Sequence, residues 1–188
     1  MTPAAAFQEL LGAFDRLNIR YLVAGSVASS FHGCPRATRD IDLVAEIRLD
    51  HITRLVAALG RDFYADADMM RDAIAAQRAF NVIHFATSYK FDIFPAGDDP
   101  YTRAQFERRQ KGRFAIENES VEFQVASAED SILSKLLWYK SGGGVSEQQW
   151  RDIVGILNAR GGMLDIEYLH KWAEHLGIQD LLTRALND

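Results

Sequence analysis

The chain has 188 residues and a formal net charge of −5, and 48% of its residues are hydrophobic. This composition is typical of a globular protein and excludes a disordered, collagen-like or low-complexity chain. The single cysteine, Cys34, excludes an intramolecular disulfide, and the acidic balance excludes a generally basic surface for non-specific DNA binding.

The hydrophobic pattern predicts strands and helices in the first two thirds of the chain and helices alone in the last third. In chain order, the predicted elements are a helix at 3–17, a strand at 21–24, a short helix at 26–31 capped by Ser26, a strand at 41–47, a helix at 49–59, a helix capped by Asp66 or Asp68 that runs to about 78, strands at 80–85 and 90–94, a helix at 101–108, strands at 114–116 and 121–125, and helices at 127–140, 146–159, 165–176 and 178–186. This order predicts an α+β core over residues 1–126, a mixed β-sheet flanked by helices, and a helical bundle over 127–188.

The sequence carries no pattern that targets the chain to a membrane. Its apolar runs are far shorter than the ~20 residues that span a bilayer, and its start lacks the cationic region of a signal peptide. We therefore expect a cytoplasmic protein without a membrane partner.

Gly25 and Ser26 stand where the strand at 21–24 ends and a helix begins. A helix that opens there leaves backbone N–H groups free beside the positive end of its dipole, an arrangement that suits a phosphate group. Taken alone, the same dipeptide also fits an ordinary turn.

Asp40 and Asp42 lie two residues apart on a predicted strand. Both side chains therefore project from one face, while Ile41 turns to the core. Two carboxylates this close repel each other, and a hard divalent cation such as Mg²⁺ relieves the repulsion through oxygen ligands. The alternatives are a solvated strand face or an ion pair with Arg36 or Arg39.

Asp92 lies in the otherwise apolar strand segment 90–94, where a charge without a partner would be costly to bury. If this strand lies beside the strand at 41–47, Asp92 joins Asp40 and Asp42 in a cluster of three carboxylates. Such a cluster can hold two metal ions, one at an attacking oxygen and one at a triphosphate. The three fragments, in this order, favour a chemical site over a chance combination.

The combined pattern resembles the signature of the nucleotidyltransferase superfamily, whose fold is of the DNA polymerase beta type. The superfamily signature is an apolar residue with Gly-Gly or Gly-Ser, a spacer, an Asp-apolar-Asp or Asp-apolar-Glu strand, and a later acid on another strand. The corresponding residues here are Ala24-Gly25-Ser26, a spacer of thirteen residues, Asp40-Ile41-Asp42-Leu43 and Phe91-Asp92-Ile93.

Two further segments extend the resemblance. Residues 36–42 are similar to the Arg-x-Thr-x-Asp-apolar-Asp variant of uncharacterised bacterial members and of AbiEii-type toxins from toxin–antitoxin systems. Residues 127–137 and 151–157 are similar to the Pro-Glu-Asp…Lys…Asp pattern that follows the core in those relatives, with Ala128 where they often carry proline.

The resemblance implies an enzyme that moves NMP from an NTP to an acceptor hydroxyl and releases pyrophosphate. It implies that Asp40 and Asp42 hold both of two Mg²⁺ or Mn²⁺ ions, and that Asp92 binds the catalytic ion and helps to deprotonate the acceptor. Gly25 and Ser26 would bind the triphosphate. The acceptor would be a small molecule, a tRNA or a protein.

Several charged residues have more than one explanation. Arg36 and Arg39 could bind phosphate or neutralise the acids beside them, and the phosphate role is favoured. Lys135 could approach the phosphates or pair with the acidic cluster, or it could be an exposed charge on an amphipathic helix. Asp152 could act on the site indirectly or pair with Lys135. The basic segment Arg103–Arg113 could face a nucleotide or nucleic acid, although a solvated face is favoured.

Two alternatives to a general nucleotidyltransferase follow from the same residues. One is a non-catalytic protein of this fold that binds a nucleotide or a partner protein. The other is the toxin of a toxin–antitoxin pair, which would modify tRNA or protein and would have a cognate antitoxin as its partner.

Overall fold

The computed structural model describes residues 1–117 and 119–188, and the strands of this part form one seven-stranded sheet in the order β3-β4-β5-β2-β1-β7-β6. The strands are β1 (Tyr21–Val23), β2 (Asp40–Ala45), β3 (Phe63–Tyr64), β4 (Phe80–His84), β5 (Lys90–Pro95), β6 (Gln110–Ile116) and β7 (Glu119–Val125). Strand β2 pairs with β5 in parallel and with β1 in antiparallel orientation, so the sheet is mixed. The predicted mixed α+β architecture is confirmed.

Helices flank the sheet and follow it. They are α1 (Pro3–Arg16), α2 (Gly25–Phe31), α3 (Ile52–Leu59), α4 (Ala67–Ala75), α5 (Pro100–Arg108), α6 (Ala128–Ser141), α7 (Glu147–Arg160), α8 (Ile166–His175) and α9 (Gln179–Asn187). Short polar side chains cap several of them by accepting a backbone N–H, as Asp66 does for α4 and Ser127 for α6. In the described part of the chain, no helix is both long and apolar enough to cross a membrane.

Four local predictions need correction. Helix α2 is capped by Ala24 without a side-chain hydrogen bond, so the cap assigned to Ser26 is wrong. The helix predicted at 49–59 opens with a 3₁₀ turn over Leu49–His51. Strand β3 was not predicted, and β6 begins at Gln110 rather than at 114.

Three apolar clusters fill the interior of the described chain, and the smallest consists of Leu22, Ala24, Phe106 and Ala126. The largest lies between one face of the sheet and helices α1, α3 and α4, and includes Phe7, Phe14 and Phe91. The second lies among α6–α9, and Tyr101 of α5 enters it with its ring centroid 5.3 Å from that of Trp172. The predicted division of the chain into parts 1–126 and 127–188 stays a prediction. Helix α5 precedes residue 126 but packs into the cluster of the C-terminal helices.

Candidate active site

Strands β2 and β5 place three carboxylates on the sheet face opposite the main core. Asp40 and Asp42 alternate with the buried Ile41 along β2, and Asp92 is the register partner of Asp42 on the adjacent parallel strand. The apolar neighbours pack into the core behind them, which explains why the acids face outward. The strand adjacency expected from the sequence is therefore found.

Asp42 is half-buried beside Gly25. The pKa of its carboxyl group is raised, first by burial and then by the negative charge of Asp92, with a smaller contribution from Asp40. The ammonium of Lys135 and a backbone hydrogen bond from Ser26 act in the opposite direction. Asp42 thus lies within electrostatic reach of both other carboxylates and would be stabilised in its ionised form by a cation.

Lys90 supplies a positive charge to this cluster. Its Nζ atom lies 2.9 Å from Oδ2 of Asp92 and 3.5 Å from Oδ1 of Asp40. The hydrogen bond to Asp92 is the main reason that the pKa of Lys90 is raised. Lys90 was not predicted as a site residue, although its position two residues before Asp92 places both on one face of β5.

The donor set suits a hard divalent cation, since carboxylate oxygens are the ligands that Mg²⁺ and Mn²⁺ prefer. Their present arrangement is nevertheless that of an ion pair with lysine. Over residues 1–117 and 119–188, no group of three or more His, Cys, Asp or Glu side chains is gathered closely enough to hold a metal ion. The carboxylates thus fit the expected ions by residue type. Their present spacing is that of acids paired with the Lys90 ammonium.

Gly25 opens α2 directly against Asp42. Its φ is +58°, and a Cβ at this position would overlap the Asp42 carboxylate. Glycine therefore permits both the backbone conformation and the close approach of the acid. Ser26 follows, and its Oγ accepts a hydrogen bond from the Arg36 guanidinium.

The salt bridges of the described residues do not pair Arg36 or Arg39 with Asp40 or Asp42. Arg36 contacts Ser26 and has its Nε 3.7 Å from Oδ2 of Asp152 on α7. Within the described part of the chain, Arg39 forms no ion pair, and its backbone carbonyl accepts the N–H of Lys90 at 3.3 Å. The alternative in which these arginines neutralise Asp40 and Asp42 is therefore wrong, and Lys90 contacts Asp40 and Asp92 instead.

Lys135 and Asp152 form a buried ion pair between α6 and α7. The Nζ–Oδ2 distance is 2.7 Å, and the two side chains are 2% and 1% exposed. Lys135 also donates to Gln149, while Gln148 donates to Asp152 at 3.0 Å. The exposed-charge alternative for Lys135 is wrong, because the packing of α6 against α7 encloses it.

The basic segment Arg103–Arg113 is largely neutralised by local acids. Arg103 pairs with Asp98, and Arg113 pairs with Glu122 across the β6–β7 ladder. Arg108 has its Nη2 atom 3.1 Å from Oε2 of Glu129. Three of the five basic side chains in this segment are thus paired with acids, and the choice between a solvated face and a nucleic-acid surface stays a prediction.

Two solved structures have a fold similar to that of this chain. One is an antigenic nucleotidyltransferase-like protein from Paracoccidioides brasiliensis, with 17% identity and a TM-score of 0.51, over 98% of this chain and 92% of that one. The other is ANT(2")-Ia in complex with adenylyl-2"-tobramycin, with 15% identity and a TM-score of 0.54, over 93% of this chain and 98% of that one. No protein-family model and no curated protein matches the sequence. At these identities the likeness shows the fold, which is the one that the sequence pattern predicted.

Proposed function

We propose that this chain is a metal-dependent nucleotidyltransferase, which transfers NMP from an NTP to an acceptor hydroxyl and releases pyrophosphate. The observation that carries the proposal is the juxtaposition of Asp40, Asp42 and Asp92 on β2 and β5, directly beside Gly25 and Ser26. The fold shared with nucleotidyltransferase structures supports the same assignment.

Asp40, Asp42 and Asp92 would hold two Mg²⁺ or Mn²⁺ ions. Bound there, the ions would supply positive charge to the triphosphate and to the attacking oxygen. The protein's own contribution is the fixed alternation of β2 and its register with β5, which keeps three acids on one face. Asp92 would accept the proton of the acceptor hydroxyl, a role assigned by resemblance.

The phosphate side of the site would be formed by Gly25, Ser26 and Arg36. Asp152 and Ser26 hold the Arg36 guanidinium at the start of α2, so this cation is positioned before a nucleotide binds. Lys135 is enclosed by Asp152 and Gln149 and would act on phosphate mainly through its charge. Arg39, on the loop before β2, is a further candidate for phosphate binding.

A small-molecule hydroxyl is the acceptor that the comparisons favour. The structure of ANT(2")-Ia contains adenylyl-2"-tobramycin, an adenylylated small molecule, in a protein that this chain matches along nearly its whole length. The toxin alternative, with a tRNA or protein acceptor and an antitoxin partner, stays a prediction from the sequence.

Transfer from α-³²P-labelled NTPs tests the proposal. Purified protein with Mg²⁺ is incubated with separate small-molecule, tRNA and protein fractions, and label on each fraction is measured. We expect Asp42→Asn to lower transfer by at least about 100-fold, since it removes charge at the reacting phosphate. The control Asp68→Asn, whose parent side chain is 94% exposed on α4, should retain activity.

Equal transfer by wild type and Asp42→Asn would contradict the proposal. Calorimetry with the same NTPs and Mg²⁺ distinguishes the non-catalytic alternative. That alternative predicts nucleotide binding that depends on Asp42 but yields no labelled product in any fraction.

A further inference from the structure

The Lys90 ammonium lies beside Asp40 and Asp92, in the position that a bound metal ion would occupy. It lies 2.9 Å from Asp92 and 3.5 Å from Asp40, which is the register partner of Lys90 on β2, while Asp42 is the register partner of Asp92. The lysine side chain is 36% exposed, so it can leave this position without opening the core.

Two opposing effects meet at this position. Three carboxylates on adjacent strands repel one another, and a nearby ammonium offsets that repulsion. The same ammonium takes oxygen lone pairs that a divalent cation needs as ligands, since Mg²⁺ and Mn²⁺ require direct contact with several oxygens. An ion that arrives at Asp40 and Asp92 must therefore displace Lys90.

We propose that Lys90 is an internal counter-cation that competes with divalent metal ions for Asp40 and Asp92. It holds the three acids together when no metal is bound and keeps the affinity for the free ion low. This inference rests on the proposed function, because it assumes that these carboxylates are the metal ligands. It makes Lys90 a positioning residue, which acts on the reaction through the acids that it contacts.

Mn²⁺ binding without nucleotide tests the proposal, by calorimetry on wild type, Lys90→Met and Lys90→Arg. Methionine keeps the length of the side chain but removes its charge, whereas arginine keeps the charge. We expect Lys90→Met to bind Mn²⁺ about ten-fold more tightly than wild type, the scale of one close charge pair. Lys90→Arg should bind like wild type, and so should the control Lys111→Met on β6.

Thermal melting gives a second readout that does not depend on activity. In EDTA, Lys90→Met should melt below wild type because the acids lose their counter-cation, and Mn²⁺ should raise its melting temperature more than it raises that of wild type. Lys90→Gln repeats both measurements with a different neutral side chain.

The outcomes separate this inference from the proposed function. If Lys90→Met and wild type bind Mn²⁺ equally, and Asp42→Asn abolishes that binding, the counter-cation role is overturned and the metal site stands. If neither wild type nor Lys90→Met binds Mn²⁺, the metal site is overturned together with the role of Lys90.

Discussion

Gly25 and Gly60 both have a positive φ, at +58° and +64°, but they face different surroundings. A Cβ on Gly25 would overlap the Asp42 carboxylate, whereas a Cβ on Gly60 would meet no atom within 4 Å. The two glycines therefore separate the effect of backbone strain from the effect of crowding the site.

We expect Gly25→Ala and Gly60→Ala each to lose about 1–3 kcal/mol of stability, because both glycines have a positive φ and Gly60, with ψ −148°, has a conformation that almost only glycine adopts. Gly25→Ala should in addition displace Asp42 and reduce nucleotide transfer by about 100-fold, the scale of a 1 Å misplacement at a reacting centre. Urea unfolding and the labelled-NTP assay measure the two effects. Full activity of folded Gly25→Ala would show that Asp42 need not keep this position.

Asp130 is a buried acid that the proposed chemistry does not use. Ser127 Oγ and Tyr168 Oη donate hydrogen bonds to its two oxygens at 2.7 and 2.8 Å. Burial outweighs these bonds and raises the pKa of Asp130 from 3.8 to about 6. Between these values the folded chain keeps a proton that the unfolded chain has lost, so stability from this group falls as pH rises.

We therefore expect the free energy of unfolding of wild type, relative to Asp130→Asn, to decrease from pH 4 to pH 7. The decrease should be about 2–3 kcal/mol at most, the equivalent of a two-unit shift. Asparagine does not titrate and keeps a similar shape. Urea unfolding of both proteins at pH 4, 5, 6 and 7 measures the difference, and parallel pH curves would refute the assigned cause.

At the scale of elements, helices α6 and α7 are joined by the Lys135–Asp152 pair. A buried pair is most costly when one partner is left alone, because the remaining charge has lost both water and its counter-ion. The two partners differ here. Asp152 would keep Arg36 and Gln148 if Lys135 were removed. Among the described residues, Lys135 would keep its hydrogen bond to the neutral Gln149 and the more distant charge of Asp42.

Asp152→Leu should accordingly destabilise the protein by about 3–5 kcal/mol, and Lys135→Met should destabilise it less. The double variant should be more stable than Asp152→Leu alone. A double-mutant cycle in denaturant measures the coupling between the two side chains. Additive effects would mean that the pair contributes no interaction of its own.

The strands that carry the acids could be predicted because their residues alternate regularly. Asp40 and Asp42 flank the buried Ile41, and Asp92 lies between Phe91 and Ile93, so the hydrophobic pattern fixes which way each acid points. Strand β3 has only two residues, too few for any alternation. The start of β6 could not be predicted, because Gln110 and Lys111 are polar and exposed on an edge strand and give no hydrophobic pattern.

Contacts between elements far apart in the sequence were harder to predict. Arg36 and Asp152 are separated by more than one hundred residues, and no local pattern relates them. The exposed alternative for Lys135 was open because a helix pattern does not reveal which neighbour covers a charged position. The Lys90 pair with Asp40 was missed for a similar reason, since it depends on the register of β5 with β2.

At the scale of the whole molecule, the candidate site draws on both parts of the chain. The carboxylates, Gly25 and Arg36 come from the sheet region, whereas Asp152 and Lys135 come from the C-terminal helices. Burial raises the pKa of Asp42 and the charge of Lys135 offsets part of that rise, while Trp138 on the same helix stacks on Phe94 of β5 with a centroid distance of 5.8 Å. The helical bundle therefore supports the site rather than standing apart from it.

Part of the net charge of −5 comes from acids gathered at the candidate site. Three of the acids share one sheet face with a single lysine, and the basic segment Arg103–Arg113 is engaged with acids of its own. Under the proposed function, the positive charge that a triphosphate requires would come from metal ions and from Arg36, not from the overall composition.

In the proposed function, Asp40, Asp42 and Asp92 form the metal–nucleotide site. Paramagnetic broadening of backbone amide signals locates this site, with Mn²⁺ and each of the four α,β-methylene nucleoside triphosphates. Broadening should be concentrated at residues 24–26, 40–42 and 91–93 and should disappear in Asp42→Asn. Broadening centred elsewhere, or unchanged by Asp42→Asn, would contradict the proposed function.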